Sequence, residues 1–173
     1  MVAQQYRLVI GSKNWSSWSL RPWIALKRFS IPFDETNIDL RAADRSQQIA
    51  ASSPSAKVPV LLIDGEPVWE SLAILETLAD RHPEHAFWPK AAPARAMARA
   101  VANEMHAGFA DLRQHCPMDF LGRAPMASLP DPVAANVRRI VKVWGEARVR
   151  HGAGGPFLFG AFSIADAMYA PVV

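Results

Sequence analysis

Three short fragments of the 173-residue sequence carry side chains that could bind or activate a small molecule. They are Ser16-Ser17 at the start of an expected helix, Lys57-Val58-Pro59 before an expected strand, and Glu70-Ser71 at the start of a second helix. Each fragment also has an ordinary structural explanation, because serine is common at helix caps and proline is tolerated at the first residue of a strand. Taken together, the fragments indicate a binding site.

The two helix starts are suited to binding an anionic group. The N–H groups of a first helical turn have no intrahelical partner, and the helix dipole makes that end positive. Ser71 and Glu70 are predicted to bind a zwitterionic amino-acid head, with the serine on the carboxylate and Glu70 on the ammonium group. Val58, held extended by the proline that follows it, would offer its main chain to a peptide. A short peptide with a carboxylate end fits this pattern, and Ser16 and Ser17 would face its middle.

The elements expected around these fragments form a small α/β unit that ends near residue 82. Apolar patterning predicts strands at 6–10, 36–40, 57–63 and 67–69, and helices at 16–30 and from Ser71 onward. Asp64-Gly65 between two apolar runs predicts a hairpin turn. Ser71 is expected to cap the second helix. Pro22 is compatible with the first helix only if that helix begins near Ser17 or Ser19, which is expected to place the proline in the first turn.

The rest of the chain is expected to be helical. Three prolines within residues 83–93 predict a linker. Apolar residues then recur at helical spacing and predict one long helix that ends at Pro117; they are Met97, Val101, Met105, Phe109 and Leu112. A second helix is predicted from Pro132 onward, and the pattern of residues 163–166 (SIAD) predicts a capping box at the start of a third.

Composition narrows the classes of function. The formal net charge is +3, and the charged residues are scattered along the sequence. Nucleic-acid binding usually requires a clustered basic face, so the charge pattern gives little support to that function. No apolar run approaches the ~18 residues of a membrane helix, and the first residues do not resemble a secretory signal. The single cysteine is consistent with a reducing compartment, so a cytoplasmic location is expected. His82 and His85 lack further ligands at metal-binding spacing, so no metal is predicted.

The order of elements and the runs KVPVL, ESLAI and SIAD resemble those of the glutathione transferase family. The run SSWSLRPWIAL is similar to the serine-dependent type, including the zeta (maleylacetoacetate isomerase) class, although Trp18 stands where the zeta run has a cysteine. The resemblance implies an α/β plus all-α fold: a thioredoxin-like glutathione-binding domain at 1–82, a linker at 83–93 and a helical second-substrate domain at 94–173. Because family chains continue through further helices, the helical domain is expected to be incomplete.

The resemblance also implies roles for the fragments at the site. Glutathione would be the co-substrate, and the bond before Pro59 would be cis. Val58 would pair with the glutathione main chain, while Glu70 and Ser71 would hold its γ-glutamyl end. Lys57 would reach a carboxylate.

A serine hydroxyl at this site can activate a thiol. A free thiol is only a few per cent ionised at pH 7, and a hydrogen bond donated to the thiolate favours the charged form. Such a bond is worth ~1.5–3 kcal/mol, which lowers the pKa of the thiol by about one to two units. By its match to the first serine of the family run, Ser16 is the candidate donor. Ser17 is the alternative, because a one-residue shift of the helix start would exchange the two roles.

The leading hypothesis is therefore a glutathione transferase that directs the thiolate at a small hydrophobic electrophile. Two alternatives stay open: a glutathione-dependent cis–trans isomerase, and a non-catalytic transferase-like module used for binding or assembly. The paired serines beside Glu70-Ser71 argue against the non-catalytic module, whereas the expected lack of the later helices argues for it. A homodimer is implied by the family resemblance alone.

Overall fold

Residues 5–124 and 128–172 are described by a computed structural model of the chain. The fold divides into two units, Met1–His82 and Pro83–Val173. None of the helices within the described ranges combines the length and the apolarity that crossing a bilayer requires.

The first unit is a four-stranded mixed sheet with three helices. Its elements in chain order are β1 (Tyr6–Gly11), α1 (Ser17–Arg28), β2 (Asp34–Ile38), α2 (Arg45–Ala50), β3 (Val60–Ile63), β4 (Glu66–Val68) and α3 (Ser71–Arg81). The strand order is β2-β1-β3-β4, with β1 parallel to β2 and antiparallel to β3, and β3 antiparallel to β4. This arrangement confirms the thioredoxin-like fold predicted for the first part of the chain.

Local sequence explains most of these elements. Asp64 and Gly65 both adopt positive φ angles, 51° and 96°, as a tight hairpin turn between β3 and β4 requires. The second strand begins two residues earlier than its alternating pattern predicts, at Asp34. The polar stretch after it, for which the sequence predicts no element, contains the short helix α2, whose Ile49 is the one buried residue of that helix.

The sheet of the first unit is covered on both faces. Val9, Ile38, Ile49 and Val60 form one buried cluster, and the half-buried side chain of Val58 packs against it. Because side chains alternate along a strand, the neighbouring residues of β1 and β3 point to the other face. There α1 and α3 pack against each other and against the sheet. The candidate site lies at one end of this covered sheet.

The second unit is helical. Its elements are α4 (Ala92–Ala107), α5 (Ala110–His115), α6 (Asp131–His151), α7 (Ile164–Tyr169) and a 3-10 turn (Ala170–Val172). The predicted helix through Pro117 is broken, because Gly108 leaves helical geometry and Phe109 adopts a left-handed conformation with φ 58°. Apolar periodicity cannot reveal this break, since Phe109 remains buried and continues the stripe of Val101 and Met105.

The start of α7 confirms the predicted capping box. The hydroxyl of Ser163 and its backbone N–H both donate to the Asp166 carboxylate at 2.9 Å. The same carboxylate also accepts a hydrogen bond from the backbone N–H of Leu158 at 2.9 Å. Asp166 therefore joins the start of α7 to the loop that precedes it.

Candidate active site

The strand pairing brings the three predicted fragments to one end of the sheet. Val9 of β1 lies opposite Val60 of β3, and Leu61 lies opposite Val68 of β4. Because β1 and β4 both end where β3 begins, the loop before α1, the residues before β3 and the start of α3 meet there. Fragments far apart in sequence thus share one region of the first unit.

Ser16 lies at the N-cap position of α1, but its side chain does not cap the helix. Its hydroxyl instead donates to the hydroxyl oxygen of Ser19 at 2.7 Å, and the residue is 8% exposed. The ordinary explanation of this serine as a helix cap is therefore wrong. The first N–H of the helix, that of Ser17, donates instead to the carbonyl oxygen of Trp15 at 3.1 Å.

Ser19 is a site residue that the sequence analysis missed. It is almost fully buried, and its oxygen accepts hydrogen bonds from the Ser16 hydroxyl and from the backbone N–H of Gly11 at 3.1 Å. It therefore ties the amino end of α1 to the last residue of β1. The spacing of three residues between the two serines on a helix was the available signal.

Ser17 has a different environment from Ser16. It is the first residue of α1 and is half-buried. Within the described ranges, its hydroxyl makes no hydrogen bond with the protein, whereas its carbonyl oxygen accepts one from Arg21 Nη1 at 2.8 Å. The structure therefore presents two serine hydroxyls, of which one is held by a buried neighbour.

Arg21 places a buried positive charge in the same helix. The residue is 1% exposed, and its guanidinium lies 4.1 Å from the centre of the Trp18 ring. A charged residue on an amphipathic helix is expected on the exposed face, so the sequence pattern does not predict this buried position.

Pro22 lies in the second turn of α1, not in the first turn as the sequence analysis expects. Proline has no N–H, so the carbonyl four residues earlier, that of Trp18, lacks its usual helical donor. The hydroxyl of Ser71 donates to this Trp18 oxygen at 3.0 Å. The proline is tolerated here because a side chain from α3 replaces the missing donor, and this bond joins the starts of α1 and α3.

The start of α3 differs from the expectation by one residue. Glu70 is the N-cap and Ser71 is the first helical residue, and no side chain caps the helix. Ser71 is 1% exposed and Glu70 is exposed, so the carboxylate can reach a ligand directly. The uncapped N–H groups of the first turn can donate hydrogen bonds to a carboxylate there.

Ser53 fixes the backbone of the segment before β3 through two hydrogen bonds. The bond between Val58 and Pro59 is cis, as the family resemblance implies. The Ser53 hydroxyl donates to the Lys57 carbonyl oxygen at 2.6 Å and lies 3.2 Å from the Lys57 backbone nitrogen, which donates to it. The Lys57 side chain is exposed and Pro59 is buried. The structure thus fixes the Lys57 backbone and leaves its ammonium group accessible.

Comparison with known proteins gives a consistent result. Residues 15–81 match the family model "Glutathione S-transferase, N-terminal domain". The chain is similar to the maleylacetoacetate isomerase of Rhizobium meliloti (33% identical over 152 residues, 84% of this chain and 70% of the relative). It is also similar to a probable maleylacetoacetate isomerase of Caenorhabditis elegans, at 36% identity over 86 residues. That match spans 50% of this chain and 39% of the relative.

A solved structure shows the same fold. The crystal structure of a glutathione transferase homolog from Burkholderia, with bound glutathione, superposes with a TM-score of 0.72 at 20% identity. The superposition covers 97% of this chain and 79% of the Burkholderia chain. At that identity the likeness establishes the fold, a thioredoxin-like unit followed by a helical one.

Proposed function

The chain belongs to the glutathione S-transferase family, and on that premise we propose that it is a glutathione-dependent enzyme acting through Ser16. The observation that carries the proposal is the position of Ser16 at the uncapped amino end of α1. A hydroxyl there can donate to a sulfur anion, and the helix dipole stabilises the same anion. Ser17 is the alternative donor.

The first unit would bind glutathione in an extended conformation. The backbone N–H groups at the start of α3 donate hydrogen bonds to the γ-glutamyl carboxylate, and Glu70 pairs with the γ-glutamyl ammonium group. The Ser71 hydroxyl already donates to Trp18, so Ser71 contributes its backbone N–H and fixes the helix start. Val58 pairs with the peptide main chain beside the cis bond at Pro59. The exposed Lys57 reaches the carboxylate at the other end.

The reaction we propose is conjugation of glutathione, through its sulfur, to a small hydrophobic electrophile. Ser16 keeps the thiol ionised by donating a hydrogen bond, and the sulfur anion attacks an electrophilic carbon. A carbon–sulfur bond forms as a leaving group departs with its electron pair or, at an activated double bond, as the displaced electron pair takes up a proton. The helical unit at 94–173 would supply the pocket for that second substrate. We further propose a homodimer in the cytoplasm as the working form of the protein.

A second candidate is a glutathione-dependent cis–trans isomerase. It is favoured by the likeness to the Rhizobium maleylacetoacetate isomerase, which extends over 84% of this chain. In this reaction the sulfur adds to a conjugated double bond, rotation follows about the resulting single bond, and the thiolate leaves. The same Ser16 hydroxyl would stabilise the thiolate that attacks and the thiolate that departs.

The test is to assay the purified chain with glutathione and two substrates, 1-chloro-2,4-dinitrobenzene for conjugation and maleylacetoacetate for isomerisation. We expect turnover of at least one substrate, and Ser16→Ala should lower kcat/KM about tenfold to a hundredfold, the loss expected from one charge-assisted hydrogen bond. Ser46→Ala, on the exposed surface of α2, is the matched serine control. Glutathione binding without any turnover would favour the non-catalytic module, and full activity of Ser16→Ala would contradict the proposal.

A further inference from the structure

We infer that Ser19 is a positioning residue that works through Ser16, a role that rests on the proposed function. The two hydroxyl oxygens lie 2.7 Å apart, and both side chains are buried. Their separation is that of a good O–H···O hydrogen bond. The pair can therefore act as one unit when an anion reaches the site.

Ser19 is itself fixed by the sheet. Its oxygen accepts the backbone N–H of Gly11, the last residue of β1, at 3.1 Å. The residue is 2% exposed, so the surrounding protein leaves its side chain little freedom. The position of the Ser16 oxygen is thus set relative to the end of β1 as well as to α1.

The Ser16 hydroxyl is the donor in its hydrogen bond with the Ser19 oxygen. A sulfur anion at Ser16 needs that same proton, and a hydroxyl hydrogen can turn about its C–O bond without movement of the oxygen. Once Ser16 turns its proton to the sulfur, its oxygen is open to accept a hydrogen bond from the Ser19 hydroxyl. The resulting chain runs from the Gly11 N–H through Ser19 and Ser16 to the anion, and no covalent bond forms or breaks.

Such a chain strengthens the donor at its end. Hydrogen bonds in series polarise one another, by about 10–30% per bond. A Ser16 hydroxyl that accepts from Ser19 is therefore a better donor to sulfur than one without that neighbour. The effect is specific to the ionised ligand, because a thioether in the same place carries no charge to stabilise.

The alternative is that Ser19 only pairs with the Gly11 N–H and has a purely structural role. The two roles differ in what they change. Loss of a structural contact would weaken the binding of any glutathione derivative. Loss of the relay would lower the ionised fraction of bound glutathione and leave the affinity for S-methylglutathione unchanged.

The experiment measures the ultraviolet absorbance of the thiolate of bound glutathione against pH, in the wild type, Ser19→Ala, Ser16→Ala and the control Ser46→Ala. S-methylglutathione affinity is measured in parallel. At a pH below the pKa of the bound thiol, we expect Ser19→Ala to show about twofold to fivefold less thiolate than the wild type. Ser16→Ala should lose about tenfold or more, and Ser46→Ala should match the wild type.

Each outcome separates the two claims. If Ser16→Ala loses thiolate and Ser19→Ala does not, the relay is overturned while the role of Ser16 stands. If Ser19→Ala loses S-methylglutathione affinity by the same factor as thiolate, its role is structural and the relay is again overturned. If Ser16→Ala titrates like the wild type, the proposed function itself fails. Should Ser19→Ala not fold, Ser19→Thr keeps the hydroxyl and must retain the wild-type thiolate fraction.

Discussion

At the scale of single residues, one hydrogen bond joins the two helix starts of the candidate site. The Ser71 hydroxyl donates to the carbonyl oxygen of Trp18, the atom that Pro22 deprives of its helical donor. A serine that the family resemblance assigns to ligand binding therefore also compensates for a proline inside α1. In this account the Ser71 side chain stabilises α1, and the Ser71 backbone N–H is left to bind the ligand.

This dependence predicts a non-additive pair of substitutions. Ser71→Ala should lower the free energy of unfolding by about 1–3 kcal/mol, because a partly buried carbonyl loses its donor. In a Pro22→Ala background the new N–H can reach Trp18, so the same substitution should cost about 1 kcal/mol less. Urea unfolding of the four proteins of this double-mutant cycle measures the difference. Equal costs in both backgrounds would contradict the assignment.

Glu35 provides a prediction about pH. Its carboxylate is 2.7 Å from Lys13 Nζ and accepts a hydrogen bond from Trp23 Nε1 at 2.7 Å, which ties α1 to β2. Burial tends to raise the pKa of Glu35, but the bonds from Lys13 and Trp23 outweigh it and hold the pKa below its ordinary value of 4.5. The ionised form is therefore stabilised by folding.

The stability that Glu35 contributes should be fully present above the unfolded pKa of 4.5 and lost as the pH falls through the lower folded value. Unfolding experiments at a series of pH values should show wild type and Glu35→Gln converging below pH 4.5. Trp23→Phe removes one hydrogen-bond donor to Glu35 and should raise the folded pKa of this carboxyl. The stability that Glu35 contributes should then be lost at a higher pH than in the wild type. A difference between wild type and Glu35→Gln that does not change with pH would contradict this account.

At the scale of elements, the start of α7 depends on one carboxylate. Asp166 accepts three hydrogen bonds, and burial raises its pKa despite them. Asp166→Ala should therefore lower the free energy of unfolding by about 2–3 kcal/mol, since two backbone N–H groups lose their acceptor. Asp131→Ala, in the exposed first turn of α6, is the matched control and should cost only about 0.3–1 kcal/mol. Calorimetric unfolding of both variants tests the contrast, and equal losses would contradict it.

Elements were predictable from sequence where local signals agree. The hairpin at Asp64-Gly65 and the capping box at Ser163 are short-range patterns with specific geometry, and both are present. The break between α4 and α5 was not predictable, because Phe109 stays buried in a left-handed conformation. The position of Pro22 was misjudged for a related reason, since its tolerance depends on Ser71, which lies far away in sequence.

The site itself was predictable in part. Residue types and spacing identified Ser16, Val58 and Glu70 as candidates, and the strand pairing brings their segments to one end of the sheet. Ser19 and Arg21 were missed, because their importance depends on a strand-end N–H and on burial. The three-residue spacing of Ser16 and Ser19 indicates that their side chains can meet, but it reveals neither the strand-end N–H nor the burial of Arg21.

At the scale of the whole molecule, ligand binding should stabilise the two units unequally. The proposed glutathione contacts all lie in Met1–His82. Glutathione at a hundred times its Kd stabilises the native state by about 2.7 kcal/mol through mass action. Hydrogen exchange should show the largest gain in protection in β1, β3, α1 and α3. Equal gains in Pro83–Val173, or no gain in either unit, would contradict this placement of the site.

The central claim is that Ser16 keeps a bound thiol ionised. Calorimetric titration of glutathione in buffers of different ionisation enthalpy counts the protons released on binding. The account predicts proton release near neutral pH for the wild type and for Ser46→Ala, and loss of that release in Ser16→Ala. Undiminished release from Ser16→Ala would contradict the claim, and loss of release in Ser17→Ala alone would assign the role to the neighbouring serine.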